Sequence, residues 1–244
     1  MKDSLKTRIR NFLISTTGYY IYKRRDLYVG VDFITDLTYK LDISPSIIFD
    51  VGANVGQSAY IYHSNLDKKS LIYSFEPIKS TYMELRKNTK NIDNVFTKNI
   101  ALGSSNFKTN IQVFEGEESV YNSIVKDNMN IKSNSIEEIE VMTGDYFCEL
   151  NNIAEIDILK IDTEGYELEV LKGFKEKLRQ NKIKVLYCEV GFHPNNKRNS
   201  YFLTLYKYAL ENSFKFYGLY EVTPLKKNGT NNYGNVMFVH ESFC

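Results

Sequence analysis

The chain has 244 residues, 43% of them hydrophobic and 25% charged, which is the profile of a globular protein large enough for a single α/β core. Its formal net charge of +1, with no long basic tract beyond the first 25 residues, excludes the electrostatic footprint of a protein that grips a nucleic-acid backbone. Cys148, Cys188 and Cys244 are odd in number and far apart, which excludes a disulfide framework or a zinc site and points to a reducing cytoplasm.

Residues 1–44 read as a helical appendage. Lys6, Arg8 and Arg10 precede the stretch Asn11 to Tyr22, which Lys23, Arg24 and Arg25 close. That stretch is too short and too polar to span a bilayer, and no small-residue cleavage site follows it. The favoured expectation is an amphipathic helix packed on the catalytic domain or on a second subunit, as in a homodimer. The other is a basic segment that makes peripheral contact with an anionic membrane or an anionic substrate. Ser44-Pro45 then breaks the helical pattern.

A single domain is expected from 45 to 244. Residues 47–51 form a strand that is apolar on both faces, as a central parallel strand must be. A helix opens near Val55, a strand follows at 71–75, a helix runs from Pro77 to about Lys90, and a strand at 95–101 ends in the turn Gly103-Ser104-Ser105. This is the β-α-β rhythm of a parallel sheet. From 106 to 143 the period changes to two, over Thr109–Phe114 and Glu137–Met142, around a polar middle with Asn122, Ser123 and Asn134. Such an excursion is expected to wall a substrate pocket. Asp145 reads as a helix N-cap, strand 156–161 returns to the core, and a helix spans Tyr166 to Phe174. Strand 183–189, a helix over 200–212, and strands 214–220 and 235–240, joined through Gly229 and Gly234, complete the chain. The last two strands are expected to be antiparallel.

The first strand runs into Asp50-Val-Gly-Ala-Asn-Val-Gly-Gln57, and Glu76 closes the second, 20 residues beyond Gly56. An acidic side chain at that distance ordinarily accepts hydrogen bonds from both hydroxyls of a ribose. A dinucleotide fingerprint would need glycine at 52, 54 and 57, and Asn54 and Gln57 break it. The spacing D-x-G-x-G-x-G of S-adenosylmethionine sites fits better. Asp50, Gly52 and Gly56 are present, and Asn54 is the non-glycine residue that most readily takes a positive φ. The predicted cofactor site is therefore Asp50, Gly52, Asn54, Gly56, Gln57 and Glu76, with Asn99 and Asp162 at neighbouring strand ends.

Ligands of an open parallel sheet bind beyond the carboxyl ends of its strands. Those ends carry Asp50, Glu76, the stretch from Asn99, the pair Asp162 and Glu164, and Glu189 followed by His193. Glu167 is expected to face solvent. Proton removal from a weakly acidic acceptor calls for a carboxylate or imidazole, so Asp162, Glu164, Glu189 and His193 are the candidate general bases. A divalent ion on Asp162 and Glu164 is the less favoured expectation, because no full ligand set is recognisable.

Asp50-Val-Gly-Ala-Asn-Val-Gly-Gln57, Phe75-Glu-Pro77, Ala101-Leu-Gly103 and Ile158-Leu-Lys-Ile-Asp-Thr-Glu-Gly-Tyr-Glu167, in this order, resemble the FkbM family of S-adenosylmethionine-dependent methyltransferases. Thr163 stands where that family usually has valine. The resemblance implies a class I methyltransferase fold, Rossmann-like, with about seven mostly parallel strands, a C-terminal antiparallel strand pair and helices on both faces. It also implies O-methylation of a sugar hydroxyl in a bacterial surface polysaccharide or its nucleotide-linked precursor. No Asn/Asp-Pro-Pro-Tyr run follows strand 156–161, which argues against an exocyclic amine as acceptor. Two other expectations remain open: a nicotinamide-dependent oxidoreductase on the same sheet, and a non-catalytic scaffold of a glycan-synthesis complex.

Overall fold

The computed structural model describes residues 5–18, 23–113, 135–196, 198–225 and 229–243. Phe114, Asn122, Ser123 and Asn134 of the excursion, Tyr22, and Cys244 lie outside them. In chain order the elements are α1 (Leu5–Thr17), α2 (Phe33–Thr35), β1 (Ile47–Val51), α3 (Gln57–Asn65), β2 (Leu71–Phe75), α4 (Lys79–Thr89), β3 (Val95–Lys98), β4 (Ala101–Leu102), β5 (Phe107–Val113) and β6 (Ser135–Met142). They continue with α5 (Gly144–Leu150), β7 (Ile156–Ile161), α6 (Glu167–Lys172), α7 (Lys175–Arg179), β8 (Ile183–Gly191), α8 (Phe202–Glu211), β9 (Phe214–Tyr220) and β10 (Tyr233–His240).

Seven of the described strands make the main sheet, in the order β3-β2-β1-β7-β8-β10-β9. The first five are mutually parallel, β10 is antiparallel to both β8 and β9, and β9 therefore runs with the parallel set. This is the expected sheet, with its C-terminal antiparallel pair. The chain builds outward from β1 through β2 to β3 and then returns to β7 on the other side of β1. The carboxyl ends of β1 and β7 thus form the switch point at which such sheets bind ligands.

Both faces of the sheet are covered because alternate side chains of each central strand are apolar. Phe49, Val51, Leu159, Ile161, Leu186 and Cys188 join a core with Phe147 of α5, Val170 and Leu171 of α6, Leu178 of α7 and Leu205 of α8. Ile48, Ile158, Val185 and Met237 face the other way, against Ala59 and Tyr62 of α3 and against Phe33, Ile34 and Leu37. Cys148 and Cys188 are buried free thiols, pushed up from the usual range by that burial, to about 12 for Cys148.

The structure departs from the expected elements at five places. Residues 33–43 are integral to the second core, since the Asp36 carboxylate, 0% exposed, accepts from the Tyr220 hydroxyl at 2.8 Å, so residue 44 is not a packing boundary. Helix α1, by contrast, buries none of its residues, which departs from the first of the two expected packings, on the domain, and leaves the second, on another subunit, as an expectation. The strand expected over 95–101 divides at Asn99: β3 ends the main sheet, while β4 pairs with β6 in a second sheet of order β4-β6-β5. The helix expected over 166–174 breaks at Gly173, where a Cβ would lie 2.1 Å from the Gly103 carbonyl oxygen, and the chain resumes as α7. Asp145 is not the cap of its own helix. Thr143 caps α5, and the Asp145 carboxylate instead accepts from the Glu176 and Lys177 N–H groups, capping α7.

Candidate functional site

Strand β1 ends at Val51, and Gly52 turns the chain with φ 77°. A Cβ there would lie 1.8 Å from the Asp162 carbonyl oxygen, so only glycine lets the ends of β1 and β7 come this close. The turn is tied to the sheet by the Gly52 and Ala53 N–H groups, which both donate to Phe75 O, at 3.1 and 2.9 Å. Asn54 takes the positive φ expected of it, 48°, and is exposed, as is Gln57 at the start of α3. Asn88 of α4 holds the turn from behind, donating to Val55 O at 2.9 Å.

Glu76 stands across this turn, at the end of β2. Its Oε2 accepts from the Asn54 N–H at 3.1 Å and its Oε1 from the Ile78 N–H at 3.0 Å, which fixes the carboxylate plane beside the turn. Burial raises its pKa to about 7, against the lowering effect of those two N–H groups. Asn99 reaches the same place differently from the expectation of a strand-end ligand. Its Nδ2 donates to the Glu76 and Pro77 carbonyls, at 2.9 and 2.7 Å, so it clamps the backbone that carries Glu76.

Asp50 lies lower. It is fully buried, and the register pairs it with Lys160 on β7 and Ser74 on β2. Lys160 Nζ approaches Asp50 Oδ1 at 3.1 Å and Asp162 Oδ2 at 3.3 Å. Burial alone would lower the Lys160 pKa, but the two carboxylates outweigh it and hold the ammonium charged. Burial raises the Asp50 pKa, and Lys160 opposes it. Asp50 therefore sits under the rim with its Oδ2 lacking a hydrogen-bond partner among the described residues, and it is Asp162 that reaches the surface of the site.

The strand end at 162–167 is a polar knot. Glu164, with φ 53°, turns its carboxylate into a two-point ion pair with Arg198, Nε to Oε2 and Nη2 to Oε1, both at 2.5 Å. Burial raises the Glu164 pKa and the guanidinium opposes it. Glu167, expected in solvent, is fully buried. Its Oε1 accepts from the Thr163 N–H, the Thr163 hydroxyl and the Gly165 N–H, and its Oε2 from the Ser200 N–H at 3.2 Å. One carboxylate thus fastens the turn after β7 to the loop after β8. The hydroxyl of Thr163, the departure from the family pattern, is used here.

Glu189, on β8, is 7% exposed and accepts from Asn199 Nδ2. Burial, with the nearby Asp162 and Glu164 charges, raises its pKa to about 9. Oxygens of Asp162, Glu164 and Glu189 lie within 4.8 Å of one another, so three of the four predicted candidate bases converge. His193 lies on the loop after β8, half-buried, with Nδ1 accepting from the Asn195 N–H at 3.1 Å. Sequence reasoning missed Lys160, Glu167, Arg198 and Asn199. Lys160 alone carried a signal, as a cation inside the apolar strand Ile156–Ile161.

The family model described as the Methyltransferase FkbM domain matches residues 50–216. The hexuronic acid methyltransferase AglP of Haloferax volcanii is 26% identical, with 72% of this chain and 69% of that protein aligned. Methyltransferase 1 of Beauveria bassiana is also 26% identical, over 66% of this chain and 74% of its own. Among solved structures, the methyltransferase FkbM of Methylobacillus flagellatus superposes with a TM-score of 0.50 at 16% identity, covering 81% of this chain. The chain spans 44% of that protein's length.

Proposed function

The chain belongs to the FkbM methyltransferase family, and from that premise we propose that it is an S-adenosylmethionine-dependent O-methyltransferase acting on a sugar hydroxyl. The observation that carries the cofactor reading is the Glu76 carboxylate, pinned by the Asn54 and Ile78 N–H groups beside the Gly52 turn at the switch point. In this reading Gly52, Asn54, Gly56 and Gln57 form the edge of the cofactor site and Glu76 takes the ribose hydroxyls. Asp50 acts from below by charging Lys160, which in turn orients Asp162. S-adenosylmethionine supplies the methyl group on a cationic sulfur.

The protein must place an acceptor oxygen and remove its proton. Of the candidate bases, Glu164 is engaged with Arg198, and His193 sits on the loop beyond β8 rather than in the carboxylate cluster. Glu189 is the assigned base. It is buried, oriented by Asn199, and of raised pKa, so its ionised form is a strong proton acceptor whose fraction, and with it the transfer rate, rises as pH rises toward about 9. The sugar hydroxyl as acceptor is supported by the Haloferax relative, whose name assigns it a hexuronic acid, and by the absence of an amine-gripping motif after β7.

Calorimetric titration with S-adenosylmethionine, S-adenosylhomocysteine and NAD(H), followed by transfer of labelled methyl to nucleotide sugars and glycans, tests both steps. Binding of the first two and not the third, then label on a carbohydrate, is the expected result. Label on a lipid or aglycone but on no carbohydrate would overturn the substrate and leave the methyltransferase. Binding of NAD(H) alone would overturn the cofactor.

A further inference from the structure

Helix α1 adds nothing to the core, yet it is not a polar helix. Leu5, Ile9 and Phe12 are 73%, 51% and 65% exposed. At 100° per residue, these three and Leu13 fall in one apolar stripe about 100° wide. Lys6 and Arg10 lie along one edge of the stripe and Arg8 along the other. Thr7 and Ile14 on the opposite side are half-buried, as is Leu13 at one edge of the stripe, so Leu5, Ile9 and Phe12 are its exposed part.

Charge is distributed to match. Between Ser4 and Arg25 the sequence contains Lys6, Arg8, Arg10, Lys23, Arg24 and Arg25 and no acidic residue, whereas the chain beyond Arg25 is net negative although the whole is +1. Arg24 is engaged in the fold, with Thr35, Asn65 and Asp32. Among the described residues the α1 cations have no such partner.

We propose that α1 lies in the headgroup plane of an anionic lipid bilayer, with Leu5, Ile9 and Phe12 at the acyl boundary and Lys6, Arg8 and Arg10 at lipid phosphates. The combination selects this occupant. A nucleic-acid backbone would use the cations and leave the apolar stripe in water. A second copy of the chain could cover the stripe, but would bring two sets of the same cations together. The helix, about 20 Å long, can lie on a bilayer but cannot cross one. The proposal is independent of the methyl-transfer reading.

The test is co-sedimentation of the full chain with phosphatidylglycerol-containing vesicles and with pure phosphatidylcholine vesicles, at low and high salt. Binding to the anionic vesicles alone, weakened by salt, is expected. Arg8→Gln or Arg10→Gln should each lower the partition coefficient about five-fold. The double substitution Ile9→Glu, Phe12→Glu should lower it by about ten-fold or more. Since α1 buries no side chain, these variants should keep the melting temperature of the parent, which separates lost docking from lost folding. Equal binding to both vesicles, no binding, or binding indifferent to the substitutions overturns the proposal. So does retention by RNA, or a dimer dissolved by Phe12→Glu, in a chain that ignores vesicles.

Discussion

Replacing Glu76 by glutamine separates its part in the fold from its part in binding. The carboxylate holds two backbone N–H groups, of Asn54 and Ile78, at 3.1 and 3.0 Å. Glutamine can satisfy one through its carbonyl oxygen but turns an NH2 donor toward the other, leaving a buried donor unpaired at a cost of about 1–3 kcal/mol. Ionising the buried carboxylate is itself costly, since burial raises its pKa from 4.5 to about 7. By linkage, a folded-state pKa above the unfolded one means that this group's contribution to stability is fully present below 4.5 and falls as pH rises toward about 7. Glu76→Gln should therefore lower the melting temperature more at pH 5 than at pH 8, where relief of the ionisation cost offsets the unpaired N–H. Affinity should respond differently. Hydrogen bonds to a charged acceptor are worth about 1.5–3 kcal/mol, so loss of the ionised carboxylate should raise the S-adenosylmethionine dissociation constant roughly 10- to 100-fold. In the parent protein, affinity should strengthen as pH rises through about 7, and that slope should vanish in the variant. Calorimetry across pH, paired with thermal unfolding, reads both. A folded Glu76→Gln protein with unchanged cofactor affinity, or a parent whose affinity weakens on ionisation, would refute the assignment of Glu76 to the ribose.

Lys160→Met strands the buried Asp50 and should cost about 3–5 kcal/mol in chemical denaturation. The deficit should be smaller at low pH, where Asp50 can protonate; equal deficits at pH 5 and 8 would mean that Asp50 is not the group left unpaired. Gly52→Ala puts a Cβ where the Asp162 carbonyl stands, at a φ of 77°, and should destabilise by about 3 kcal/mol or more, seen as a lower melting temperature without cofactor. Glu189→Gln should reduce kcat for methyl transfer about 100-fold or more with little change in cofactor affinity, and a normal kcat would remove Glu189 as base. Lys160 and Arg198 already balance part of the Asp162, Glu164 and Glu189 charge, so transfer should persist in chelator; loss restored by a divalent ion would assign the cluster to a metal instead.

The sheet was legible because its signals are local. Apolar runs with turn residues between them locate β1, β2, β7, β8, β9 and β10, and the Gly52–Glu76 spacing locates the switch point. The errors arise where a residue's partner is distant in sequence. Nothing near Asp145 shows that it caps a helix 31 residues later, and nothing near Ala101 shows that it pairs with Val141 rather than extending β3. Residues 33–43 read as appendage because they precede the Ser44-Pro45 break, and their apolar residues, Phe33, Ile34, Leu37, Leu41 and Ile43 among them, do not say which surface they cover. Their burial depends on Tyr220, 184 residues beyond Asp36.

The same reasoning explains why the candidate site was half legible. A carboxylate at a strand end is visible in the sequence, but its state is set by what lies against it. Asp162, Glu164, Glu167 and Glu189 look alike on the page of residues, yet in the fold each has a different neighbour: Lys160, Arg198, three donors of its own turn with Ser200, and Asn199. Those neighbours divide the labour. Glu164 and Glu167 become structural because strong donors saturate them, and Asp162 is anchored by a buried ammonium. Glu189 is buried among like charges with a neutral amide as its hydrogen-bond donor, and the charge of Arg198 offsets only part of the resulting rise in its proton affinity. A group held in that condition adds little stability when ionised and takes a proton strongly once it is ionised, a form that grows as pH rises toward about 9, and this contrast, more than any motif, singles it out among the four.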